Sequence, residues 1–141
     1  MNRDELRQRT KRFGLRVLKL IDALPGRAAG RIITNQLGRS GTAVGANYRA
    51  ACKSRSRAEF ISKIGVVEEE ADESAYWLEM IIESGLLRMA RVEPLLTEAN
   101  ELTAIMAASR ITASKSLVRT SNRRLALRAP IGNRQSAIGD R

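Results

Sequence analysis

Apolar residues recur at alternating steps of three and four along most of this chain, which lays them on one face of a helix and excludes the every-second-residue pattern of a strand. In the first segment Leu6, Phe13, Val17, Leu20 and Leu24 form such a stripe, with Thr10 filling the gap. Pro25 and Gly26 end it, because proline lacks the N–H that would continue the helix and glycine accepts the turn. A second segment over residues 27–51 carries Ile33, Leu37, Ser40, Val44, Asn47 and Ala51 at the same spacing, so two of its seam positions are polar. After the loop 53–56, Ser56 stands three residues before Glu59 in the pattern of a capping box, which opens a third helix over 57–84. At about 1.5 Å per residue this helix spans roughly 42 Å.

The main stripe of the third segment is Phe60, Ile64, Val67, Ala71, Leu78 and Ile81, with Ser74 in register. Val66, Trp77 and Met80 make a second patch on another side, which a single bundle leaves partly exposed and which therefore reads as a subunit interface. Gly85 supplies a C-terminal stop, and Pro94 suits the first turn of a fourth helix. That helix uses Val92, Leu95, Ala99, Leu102, Met106 and Ala113, with Ser109 between the last two, and its periodicity fades near Leu117. Four helices joined by short connections make an all-α, antiparallel up-down four-helix bundle over residues 1–118. Residues 119–141 are expected to form a flexible basic tail, with helix only near Leu125.

Histidine is absent, which removes the Ser/His and Cys/His nucleophile pairs and most zinc constellations. No catalytic set, cofactor or metal is expected. The acidic run Glu68, Glu69, Glu70, Asp72 and Glu73 falls mostly off the apolar stripe and lacks the histidines of di-iron bundles, so it reads as a solvated or intersubunit face. The single cysteine, Cys52, fits a reducing compartment, no apolar run is long enough to span a bilayer, and the N-terminus lacks a secretory stretch. The expectation is a cytoplasmic protein with no membrane partner.

Charge narrows the partner class. The net charge is +10, and such a surplus of Lys and Arg attracts polyanions and releases counterions on meeting phosphates. Residues 27–57 hold seven basic side chains and no acid, whereas seven acids and no base lie between Lys63 and Arg88. Seven more bases occur over 115–141, with Asp140 as the lone acid. Candidate contacts to nucleic acid are Arg27, Arg31, Arg49, Lys53, Arg55 and Arg57 on the second helix and its following loop, with Arg123 and Arg124 in the tail. Tyr48 is the one aromatic of that basic stretch, so backbone contact with strong salt dependence is expected rather than base stacking. Ser40 and Asn47 each need a hydrogen-bond partner, and with Arg39 and Glu59 they form a candidate polar seam that fixes register. Gly38, Gly41 and Gly45 share a helical face and imply either close backbone approach or a break near Gly41.

The order Gln36-Leu37, Arg39-Ser40, Asn47, Arg57, Glu59-Phe60 and an acidic segment ending at Leu78-Glu79 resembles the four-helix-bundle family of 23S rRNA intervening-sequence proteins, which includes accessory proteins of diversity-generating retroelements. The resemblance covers roughly residues 10–118. It implies an antiparallel bundle assembled as a homopentamer and, for the retroelement branch, binding to a reverse transcriptase and nucleic acid. Tyr48-Arg49-Ala50-Ala51 departs from the family's usual Ile-Ala-Glu-Gly run and makes this segment more basic. The combined expectation is a non-enzymatic homo-oligomeric scaffold that binds nucleic acid, RNA foremost, with a protein-interaction adaptor such as a reverse transcriptase accessory subunit as the alternative.

Overall fold

A computed structural model describes residues 1–128 and holds four helices there: α1 (Arg3–Ile21), α2 (Ala28–Ala51), α3 (Arg57–Glu83) and α4 (Met89–Leu127). They pack in chain order, α1 on α2, α2 on α3 and α3 on α4, with a slighter contact closing α4 on α1. Short turns reverse direction at each step, giving the antiparallel up-down bundle. One end of the bundle therefore collects the start of α1, the end of α2, the start of α3 and the later turns of α4.

Local chemistry sets the ends. Asn2 and Glu5 complete a capping box at α1, the Asn2 side chain accepting from the Glu5 N–H at 2.8 Å. Ser56 accepts from the Glu59 N–H at 3.1 Å to cap α3, while the Glu59 carboxylate accepts from the Arg55 N–H at 2.9 Å. Gly85 closes α3 at φ 73, the left-handed backbone region that side chains with a Cβ rarely enter.

The core is built from the anticipated stripes, with Phe13, Val17, Leu37, Val44, Ile64, Leu78, Leu102 and Met106 fully buried. Ser40 and Ser74, the buried polar positions of α2 and α3, meet with their hydroxyls 3.0 Å apart, and Ser74 Oγ is also 2.8 Å from the Glu70 carbonyl oxygen. One buried pairing thus satisfies both hydroxyls and sets the register of the two helices. Helix α2 runs unbroken past Gly41, because the glycine face meets α1 closely. A Cβ on Gly41 would lie 2.7 Å from both methyl groups of Val17, and one on Gly45 3.2 Å from the α1 backbone at Thr10 and Lys11.

Three expectations change. The stripe of α2 passes through Tyr48 rather than Asn47: Tyr48 is buried, whereas Asn47 is half-buried and donates at 2.9 Å to the Ala43 carbonyl of its own helix. A four-residue step from Val44, instead of three, turns the aromatic ring inward. Helix α4 starts at Met89, so Pro94 lies in its second turn, where the N–H it lacks would have met the Ala90 carbonyl. Finally, α4 continues ten residues past Leu117 to Leu127, through a boundary expected at 118, because lengthening a helix already nucleated in the bundle adds a backbone hydrogen bond with each residue and needs no buried face. The basic tail anticipated over 119–141 is helical through Leu127, and residues 129–141 lie outside the described residues.

The glycine contacts separate two neighbouring substitutions. Gly41→Ala drives a methyl into the rigid, β-branched Val17 and is expected to destabilise by about 1–3 kcal/mol in urea unfolding. Gly38→Ala meets only Ile21 Cδ1 at 3.4 Å and is expected to be neutral or to gain up to about 1 kcal/mol from helix propensity.

Candidate nucleic-acid interface

Basic side chains divide into those neutralised within the bundle and those left free. Arg9 of α1 reaches α4, pairing with Glu98 and Glu101 at 2.6 Å each. Arg39 of α2 pairs across to α3 with Glu73 at 2.5 Å and Glu70 at 3.2 Å, and its hydrogen bond holds the Glu73 carboxyl below the ordinary glutamate range. Arg110 of α4 reaches Glu68 of α3 at 2.7 Å. The charge segregation along the chain thus serves partly to join neighbouring helices. Arg39 takes its partners from the acidic run of α3, while Glu59 stays with the α3 cap and with Lys63 at 2.9 Å. The seam foreseen from Arg39, Ser40, Asn47 and Glu59 is therefore three separate arrangements: the Ser40–Ser74 pair, the Arg39 ion pairs beside it, and local bonds for Asn47 and Glu59.

Cations without a carboxylate partner stand along α1 (Lys11, Arg12, Arg16, Lys19) and at the starts of α2 and α4 (Arg27, Arg31, Arg88, Arg91), and the largest group of them lies at the other end of the bundle. Arg49, Lys53, Arg55 and Arg57 are exposed where α2 ends and α3 begins, and none has a carboxylate partner among the described residues. The Arg57 guanidinium donates to Ser116 Oγ of α4, which brings α4 alongside. From there α4 overhangs the bundle by roughly 16 Å, with every residue from Val118 to Arg128 exposed and Arg119, Arg123, Arg124 and Arg128 along it. Arg27 and Arg31 belong elsewhere: they lie at the start of α2, roughly 30 Å along the helix, and Arg31 donates at 2.6 Å to the Gly26 carbonyl. The eight basic positions expected to act together split six to two between opposite ends. Arg3 and Arg119, not among those eight, join the six; Arg119 lies within the basic run of the sequence, whereas Arg3 stands in a mixed-charge stretch that carries no signal.

The second apolar patch is also resolved. Val66 is 38% exposed and Met80 37%, whereas Trp77 is half-buried with its indole packed against the core. Tyr76, 52% exposed and set edge-on to Trp77 at 5.0 Å, occupies the outer position instead. Val66, Glu69, Glu73, Tyr76, Met80 and Glu83 follow steps of three and four, a second stripe that is acidic as well as apolar. Among the described residues no three His, Cys, Asp or Glu side chains converge as a metal site would, and no helix is long and apolar enough to cross a membrane.

The sequence matches the 23S rRNA-intervening sequence protein family over residues 3–108. The chain belongs to this family. A solved structure from Bacteroides thetaiotaomicron, a protein of unknown function from the S23 ribosomal protein family, superposes with a TM-score of 0.70 at 28% identity, covering 74% of this chain and 97% of that one. No curated protein matches. The family match stops at residue 108, so Arg119, Arg123 and Arg124 lie on a part of α4 beyond it.

Tyr48 is not available for stacking on a base. Burial, with the Cys52 thiol alongside, pushes its phenol up to about 12 from the ordinary 10.0. The unfolded chain releases this proton first as pH rises, so stability is expected to fall between about pH 10 and 12. Tyr48→Phe keeps the ring without the proton and should remove that part of the decline in alkaline denaturation curves.

Proposed function

We propose that this family member is a non-enzymatic homo-oligomeric scaffold that binds nucleic acid, RNA foremost, through the basic end of its bundle. The observation that carries this reading is the gathering of unpaired cations there: Arg49, Lys53, Arg55 and Arg57 with Arg119, Arg123 and Arg124 of the α4 overhang, while Arg9, Arg39 and Arg110 are neutralised by acids. A cation without a carboxylate partner meets a phosphate at the cost of ordering its side chain alone, whereas a paired one must first release its carboxylate. Contacts of this kind fall mostly on the backbone, so affinity depends steeply on salt and weakly on sequence. In electrophoretic mobility shifts, the full chain is expected to retard single-stranded RNA at low salt. Replacing Lys53, Arg55 and Arg57 together by alanine should reduce the slope of log affinity against log salt by about 2. No RNA or DNA binding at any salt concentration would sink this half of the reading.

Assembly is supported by two complementary exposed faces. One is the acidic and apolar stripe of α3 with Val66, Tyr76 and Met80. The other is the α1/α2 face, where Leu15 and Leu18 stand exposed over a groove rimmed by Arg7 and Lys11. Opposite faces that fit one another make a head-to-tail contact, which closes into a ring when the rotation permits. The family resemblance implies five copies, and a ring multiplies weak contacts to one polyanion into avidity. Light scattering is expected to give a mass near five times the 15.6 kDa of the chain at high salt. Tyr76→Lys with Met80→Asp should reduce it to one; a wild-type monomer would refute assembly.

A further inference from the structure

At the basic end the slight contact between α1 and α4 leaves a cleft of about 840 Å3, a volume within the roughly 300–1,000 Å3 of small-ligand sites. Arg3, Arg55, Arg57 and Arg119 line it, and no Asp or Glu does. None of these four guanidiniums has a carboxylate partner among the described residues. Arg3 instead lies over the Phe60 ring, 5.0 Å from its centroid, and Arg57 rests on Ser116. Ser54, also on the wall, has a buried hydroxyl oxygen with no hydrogen-bond partner, a group that costs stability unless something else satisfies it. Between the arginines the floor is apolar, with Phe60 and Ile105.

Guanidiniums around an apolar floor suit a ligand that is anionic at one side and flat and apolar at the other. We propose that this cleft seats a nucleotide, its phosphate held by Arg3, Arg57 and Arg119 and its base laid on the floor beside Phe60. The site deepens the nucleic-acid reading above and rests on it when the nucleotide belongs to a strand. A base is free to enter only when unpaired, so the seat favours single strands over duplexes. The outer part of its α4 wall, from Ser109 to Arg119, lies beyond residue 108, outside the segment matched to the family. The nucleotide can come from a strand or be free, and the chemistry of recognition is common to both.

The test uses the full chain, fluorescent hexauridylate and free uridine 5′-monophosphate, with two double variants of equal charge. Arg57→Ala with Arg119→Ala empties the cleft of two cations, and Arg27→Ala with Arg31→Ala removes the same charge from the opposite end. The cleft variant is expected to weaken hexauridylate binding by at least about tenfold and the control by less than about threefold. Competition by the free monophosphate in the wild type points to a seat for single nucleotides, and its absence to one for strand phosphates. Equal losses in both variants would overturn the seat and leave the general reading intact. Monophosphate binding that the cleft variant loses, with no hexauridylate binding, would keep the seat and remove the nucleic-acid reading. Binding of neither probe overturns both.

Discussion

Helix α2 is held from both sides by contacts that tolerate little displacement, and the remaining architecture follows from them. Toward α1, the missing Cβ of Gly41 makes room for Val17, and Gly45 lets the α1 backbone approach at Thr10 and Lys11. Toward α3, the Ser40 hydroxyl meets Ser74 inside the apolar seam, and a shift in register would part the two and leave each with only a carbonyl of its own helix. A shift of one turn would also part Arg39 from Glu70 and Glu73. Close packing and a single polar pairing thus fix α1, α2 and α3 together, and α4 then covers α3.

This register decides where charge accumulates. It brings the acids of α3 opposite Arg39 of α2 and Arg110 of α4, so those cations are used in joining helices. The cations beyond the end of α2 face no such acids, and the long α4 carries further arginines past them. The net charge of +10 is therefore unevenly presented: the seams that α3 makes with α2 and α4 are compensated, whereas the end where α2 meets α3 is not. A focused patch attracts a polyanion more strongly than the same charge spread over the surface.

How much of this was legible in the sequence varies by residue. Core stripes through Phe13, Leu37, Ile64 and Leu102, the Ser56 cap and the Gly85 stop were legible, since each depends on spacing or on backbone chemistry within a few residues. The exchange of Asn47 for Tyr48 was not, because steps of three and four both continue a helical stripe and the choice depends on which side chain finds space in the core. The length of α4 was missed for the opposite reason: no buried stripe marks residues 118–127, which extend a helix nucleated within the bundle. Phe60 was assigned to the core, and its position on the floor of an arginine-lined cleft depends on how far α1 stands from α4.

The sequence by itself determined the helical class, the number of helices, their antiparallel order and membership of the family, because apolar periodicity, turn residues and short connections act locally or through chain geometry. It also determined that the surface is basic. Only the tertiary structure decided which cations are spent on helix pairing and which are free, that Arg27 and Arg31 stand apart from Arg55 and Arg57, and that Arg3 and Arg119 meet across one cleft. Pairing is a relation between residues distant in sequence, and it exists only once packing has fixed the register of one helix against the next.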